Sequence, residues 1–217
     1  TLQNGLGSGD ELAAAFGSDR VLLGVTYIDA VRKEPGVVAE LGGHCNIIFG
    51  EESGEETPRA VAVRDALSGA GIEIKLSSDV RVELWNKLIF ICALSGMTCI
   101  TRAPIGAVLA TPETLDLTWK VMRETEVVGR AQGVELDEGI VETNMGVLER
   151  LGESGISSMY MDLQRSNRLE VGVLNGAIDR LGKEAQVPTP VNSFITACLT
   201  VAHNRAIAQR ESTDQGG

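Results

Sequence analysis

One lysine stands in a long apolar run, and that run most constrains the chain. Glu83-Leu84-Trp85-Asn86-Lys87-Leu88-Ile89-Phe90-Ile91-Cys92-Ala93-Leu94-Ser95 opens a helix. Val80, Leu84, Leu88 and Ile91 keep helical spacing, and the pattern continues towards Thr98. Before Asn86-Lys87, short apolar runs alternate with turns. After it, nearly everything reads as helix. The expectation is two regions with Lys87 at their junction, and such junctions are favoured places for substrate sites.

The region before the junction has its own punctuation. Gln3 to Glu11 reads as strand, tight turn and helix, with Asn4-Gly5 as the turn and Ser8 with Glu11 as a capping box. Gly5, Gly7 and Gly9 form GxGxG, which reads either as a phosphate loop or as a glycine-rich turn. Asp10 and Glu11 at the helix start would repel a phosphate there. Val21 to Ile28, Val37 to Glu40 and Asn46 to Phe49 read as strands, separated by Pro35-Gly36 and Gly42-Gly43. Short strands with tight turns predict an antiparallel meander. Thr57-Pro58 opens a helix over Arg59 to Ala70, and Ile72 to Leu76 alternates as a strand.

Beyond Ser77-Ser78-Asp79, which caps the central helix, the spacing predicts helices only. One runs from Thr111-Pro112 to about Gln132, one from about Asp137 to about Leu151, and one long helix from Met159 to about Ala185. A last helix begins at Thr189-Pro190 and ends near Gln209, followed by a polar tail. The expected organisation is residues 1–77, mixed α and β; residues 78–210, helical; and residues 211–217, the tail. Thr1 is not an initiator methionine, and the chain reads as the rear part of a longer protein.

Composition narrows the partners. A formal net charge of −11 disfavours nucleic acid and anionic membrane surfaces. The stretch Leu88 to Thr101 is too short to span a bilayer, and no signal peptide is visible. The four cysteines include no CxxC pair, and His44 and His203 are far apart, so no metal site is expected. Cys92 and Cys99 read as buried free thiols in a cytoplasmic protein.

Three residues carry candidate chemistry. Lys87 can protonate a developing alkoxide, or be a surface lysine paired with Glu83. Residues 87, 91 and 95 share one helix face, which places Ser95 on the Lys87 surface. Glu170, in the long helix, can orient a hydroxyl or be a solvated carboxylate. Asn4, before a glycine turn, is placed for a ligand at a strand's carboxyl edge or is a turn residue. Ser157 and Ser158 can bind an anionic substrate or cap a helix.

Together these segments resemble the ketopantoate reductase (2-dehydropantoate 2-reductase) family. The resemblance lies in Leu2-Gln3-Asn4-Gly5-Leu6-Gly7, in Val82-Glu83-Leu84-Trp85-Asn86-Lys87-Leu88 with its ELWxKL signature, and in Ser157-Ser158-Met159, Asp162, Glu170 and Asn175-Gly176. The resemblance implies an α+β chain: the remnant of a Rossmann-type α/β domain, then an all-α domain like the C-terminal domain of 6-phosphogluconate dehydrogenase. It implies NADPH-dependent reduction of a 2-oxo acid to a 2-hydroxy acid in pantothenate synthesis. By that likeness Lys87 is the general acid and Glu170 holds the substrate hydroxyl. Ser158 contacts the substrate carboxylate, Ser95 lies along the substrate face, and Asn4 sits near nicotinamide and substrate. The helical part forms a homodimer.

Two departures bear on function. The family's asparagines four and eight residues after the lysine are here Ile91 and Ser95, which points to a bulkier or more apolar 2-oxo acid as an alternative. The GxGxxG unit that would hold the pyrophosphate is not in the sequence, so the isolated piece is expected to be inactive. A non-catalytic helical dimerisation module is the other alternative.

Overall fold

The computed structural model describes residues 1–28, 30–40 and 45–214. The Gly42-Gly43 turn and His44 lie outside the described residues. The chain divides into two compact units: Thr1–Gln3 with Gly7–Leu84, and Asn4–Leu6 with Trp85–Gly217.

The first unit begins with α1 (Ser8–Phe16). Gly7, not Ser8, is its N-cap, at a left-handed φ of 105°. The capping box expected from Ser8 and Glu11 therefore does not form. Ser8 Oγ instead meets Thr1 Oγ1 at 3.2 Å, and no strand is assigned before α1. The glycine-rich stretch is the turn that starts this helix.

Strands follow as β1 (Leu23–Tyr27), β2 (Ala30–Glu34), β3 (Val37–Glu40), β4 (Asn46–Gly50) and β5 (Glu73–Leu76). The expected meander is only partly met. β1 and β4 pair antiparallel, but β4 and β5 pair parallel. The cause is α2 (Pro58–Gly69), which lies between β4 and β5 and returns the chain to the same end of the sheet. β2 and β3 form a separate antiparallel ribbon around Pro35-Gly36. β2 escaped the sequence reading because Arg32, Lys33 and Glu34 are exposed and show no buried face.

Local signals explain α2 and the small core beneath it. Thr57 accepts the Ala60 N–H, and Pro58 occupies the first helical position where no N–H is needed. Glu51, buried beside them, takes Nε of Arg59 at 2.7 Å and also accepts from Thr57. Ile47, Phe49 and Ala60 form the centre, with Leu22, Ile72, Ile74 and Leu76 packed against it.

α3 (Val80–Thr101) starts where expected, with Asp79 Oδ1 accepting the Val82 N–H at 3.1 Å. At 22 residues it runs a turn beyond the expected end, and it has the length and apolarity of a membrane span, yet most of it is buried inside the protein. Burial pushes the thiols of Cys92 and Cys99 up, Cys99 to about 12, so both are inert at neutral pH.

The second unit continues with α4 (Ile105–Ala110), α5 (Pro112–Ala131), α6 (Ile140–Arg150), α7 (Ser158–Gln164), α8 (Asn175–Glu184) and α9 (Pro190–Asp214). α4 was not expected. Its end takes the Thr111 hydroxyl, which donates to Ala107 O instead of capping α5. α6 begins after Gly139 rather than at Asp137. α9 extends past Gln209 to Asp214, so the expected frayed tail is helical for its first residues.

The single helix expected from Met159 to Ala185 is three pieces: α7, a 3-10 turn at Glu170–Gly172, and α8. Ser166 takes a left-handed φ of 55°. Asn167 folds back on Asp162 through both its amide side chain and its backbone N–H, each at 2.9 Å. These local bonds replace the helical ones. Glu170 therefore opens a tight turn rather than lying mid-helix. At the other end of the unit Glu124 of α5 accepts the Val191 and Asn192 N–H groups, each at 2.9 Å, and so caps α9.

Candidate functional site

Lys87 lies two turns into α3, half-buried between the core residues Trp85 and Leu88. Its ammonium donates to Asn4 Oδ1 at 2.8 Å. The carboxylate one turn earlier, Glu83, accepts from Lys75 at 3.3 Å. Burial lowers the Lys87 pKa from the ordinary 10.5, and the negative charge of Glu170 opposes that shift. The neighbouring Asn86 accepts from Asn144 Nδ2 at 2.8 Å, which ties this part of α3 to α6.

Asn4 reaches Lys87 within the second unit, to which Asn4–Leu6 belong. Leu6 N–H donates to Val173 O at 3.0 Å. Gly5 stands at φ +79°, and a Cβ there would lie 2.3 Å from Val173 O. Only glycine allows this approach. The docked turn follows Glu170, whose carbonyl accepts the Val173 and Leu174 N–H groups at 3.1 and 3.2 Å. Asn4 Nδ2 then donates to Glu170 Oε2 at 3.4 Å. One amide thus serves a cation with its oxygen and a carboxylate with its nitrogen.

Asn4, Lys87 and Glu170 are brought together, although they lie 83 and 166 residues apart in the chain. Ser95 and Ser158 are not part of this hydrogen-bonded set. Ser95 is 1% exposed, and its Oγ has no hydrogen-bond partner among the described residues. Ile91, between Lys87 and Ser95 on the helix face, is 9% exposed. Ser157, not Ser158, caps α7: its Oγ accepts the Tyr160 N–H at 3.0 Å and meets Thr98 Oγ1 at 3.1 Å. Ser158 stands exposed in the first turn. Gly5 stood out as a turn glycine, but its partner Val173 was not singled out, because no spacing in the sequence joins residue 5 to residue 173.

The set offers one donor cation, one two-way amide and one acceptor carboxylate. That suits a small molecule bearing carbonyl and hydroxyl oxygens. Among the described residues no group of three or more His, Cys, Asp or Glu could hold a metal. The first turn of α1 carries Asp10 and Glu11, which disfavour a phosphate at that helix start.

Gly5→Ala tests the docking. The left-handed φ alone is unfavourable for alanine by about 1–2 kcal/mol, and the clash with Val173 O adds to it. The expected result is a lower urea midpoint and loss of protection at the Leu6 amide. A variant of wild-type stability with a protected Leu6 amide would contradict the docked geometry.

Comparison with known proteins places this arrangement. Residues 79–203 match the family described as ketopantoate reductase PanE/ApbA C terminal, and residues 1–54 match ketopantoate reductase PanE/ApbA. A 2-dehydropantoate 2-reductase of Halobacterium salinarum is 32% identical over 211 residues, covering 97% of this chain and 67% of that protein. An uncharacterized oxidoreductase of Bacillus subtilis, YkpB, is 28% identical over 196 residues, covering 90% of this chain and 65% of the relative. A crystal structure of a 2-dehydropantoate 2-reductase from Geobacter metallireducens superposes with a TM-score of 0.86 at 27% identity, over 93% of this chain and 67% of that one. The chain thus spans about two thirds of the length of these relatives. A short sheet remnant followed by an all-α region, with family matches over both, shows that this chain belongs to the ketopantoate reductase PanE/ApbA family.

Proposed function

We propose that the protein reduces a 2-oxo acid to a 2-hydroxy acid, in the simplest case 2-dehydropantoate to pantoate with NADPH, on the route to pantothenate and coenzyme A. The observation that carries the reading is Asn4 hydrogen-bonded to both Lys87 and Glu170. The chemistry that a bound nicotinamide dinucleotide would supply is a hydride for C2 of the oxo acid. As C2 becomes tetrahedral, charge builds on its oxygen. The Lys87 ammonium neutralises that charge and gives the oxygen a proton. Asn4, through Oδ1, aims the ammonium, and it is the residue nearest this chemistry that suits the nicotinamide end. Glu170 accepts from the substrate's hydroxyl. In this reading Ser158 serves the substrate carboxylate, and residues 78–210 form the substrate-binding and dimerisation domain behind the rear of a nucleotide-binding domain, residues 1–77.

A second reading changes the substrate but not the reaction. Ile91 cannot hydrogen-bond, and the Ser95 hydroxyl is sealed in the core. The face of α3 beyond Lys87 therefore favours an apolar side chain on the 2-oxo acid.

Lys87→Ala in the full-length protein should lower kcat/KM for NADPH-dependent reduction by about 10²–10⁴-fold. Since the acid must be protonated, the wild-type rate should fall as pH rises through the Lys87 pKa, at a pH below 10.5. Equal loss with every 2-oxo acid supports Lys87 as the acid, and turnover of an apolar 2-oxo acid above that of ketopantoate selects the second reading. Wild-type turnover in the Lys87→Ala variant would sink both. Self-association belongs to the same proposal: Phe194 and Val201 are 60% and 62% exposed on the outer face of α9, with Cys198 exposed between them. Sedimentation should find a dimer that Phe194→Glu dissociates; a wild-type monomer at all concentrations would remove this part.

A further inference from the structure

The segment that carries Glu170 is tied to α9 as well as to its own turn. The residue before it, Leu169, is 5% exposed, and no side chain within the 3-10 turn caps it. Its backbone N–H donates instead to His203 Nδ1 of α9, at 3.1 Å. Nδ1 accepts only when it carries no proton, so the imidazole proton sits on Nε2. α9 grips the same loop a second time, where Arg210 Nη2 donates to Asn167 Oδ1 at 3.0 Å. On its other side Glu170 is fixed by its carbonyl bonds to Val173 and Leu174. The two ends of a short, tight segment thus determine where the carboxylate emerges.

We propose that His203 is a positioning residue which, by accepting the Leu169 N–H, sets the place of Glu170 beside Asn4 and Lys87. The inference rests on the reading of these three residues as one site. Imidazole is suited to the task. Nδ1 stands two bonds from Cβ, so the acceptor lies close to the backbone of α9 and needs few rotatable bonds to be held in place.

The test compares three variants of the 217-residue chain by NMR. His203→Asn keeps an acceptor at the δ position. His203→Gln moves it to the ε position, and His203→Phe removes it while keeping a ring. Two quantities are read: hydrogen exchange at the Leu169 amide, and the titration midpoint of Lys87, which Glu170 raises. The expected result is exchange at least ~10-fold faster in the Phe and Gln variants, with the Lys87 midpoint lowered as Glu170 moves away. The Asn variant should restore both. Should the Phe variant fail to fold, the Gln and Asn pair decides. Faster exchange with an unmoved Lys87 midpoint would overturn the positioning role, and so would an Asn variant that behaves like Gln. In the turnover assay His203→Gln should raise KM for the 2-oxo acid about 10-fold with little change in kcat. Absence of wild-type turnover would defeat the proposed reaction but leave the Lys87 titration to decide the role of His203.

Discussion

The contact on which the site depends is a backbone one. Leu6 N–H meets Val173 O, and Gly5 lies so close to the same carbonyl that no side chain fits. A single hydrogen bond of this kind contributes about 1 kcal/mol. Its importance is positional. It carries Asn4 to the turn that displays Glu170, and from there Asn4 spans to Lys87 on α3. Three polar side chains from three distant parts of the chain are thus brought together, two of them carried by short turns that main-chain hydrogen bonds tie to each other.

Lys87 is half-buried because α3 is a core helix. Leu88, Ile89 and Cys92 on the same helix are at most 1% exposed, and Lys87 itself is half-buried. Desolvation there disfavours the ammonium, while Glu170 favours it, and desolvation is the larger effect. A lysine held this way gives up its proton more readily than one in water. In the proposed reaction this favours release of the proton to a developing alkoxide. The same burial explains why Cys92 and Cys99, though on this helix, have no reactive thiolate.

Much of this architecture was legible in the sequence where a local signal decides the outcome. Thr57-Pro58 marked α2, Asp79 marked α3, and the alternation at Ile72 to Leu76 marked β5, each within a residue or two. Decisions made by distant partners were not legible. The parallel pairing of β4 with β5 follows from the crossover through α2, and the break between α7 and α8 follows from Asn167 bonding Asp162 and from α9 holding the loop. The site shows the same division. Lys87, Asn4 and Glu170 stood out as residue types in suggestive places, and a hydrogen bond at each step now links them. Ser157 and Ser158 were equivalent in sequence, and the fold chose Ser157 as the cap because it alone has the Tyr160 N–H within reach. Ser95 shares the Lys87 face by helical geometry, but packing seals it where spacing alone could not show it.

The most direct test of this account is a crystal structure of the full-length protein with an oxidised nicotinamide dinucleotide and a 2-hydroxy acid bound. The account predicts the C2 oxygen within about 2.7–3.2 Å of Lys87 Nζ, with Asn4 and Glu170 both in contact with the ligand or the nicotinamide. A 2-hydroxy acid seated with its C2 oxygen away from Lys87, while Asn4 still bridges Lys87 and Glu170, would contradict it: the three residues would then be a structural clasp and not the site of reduction.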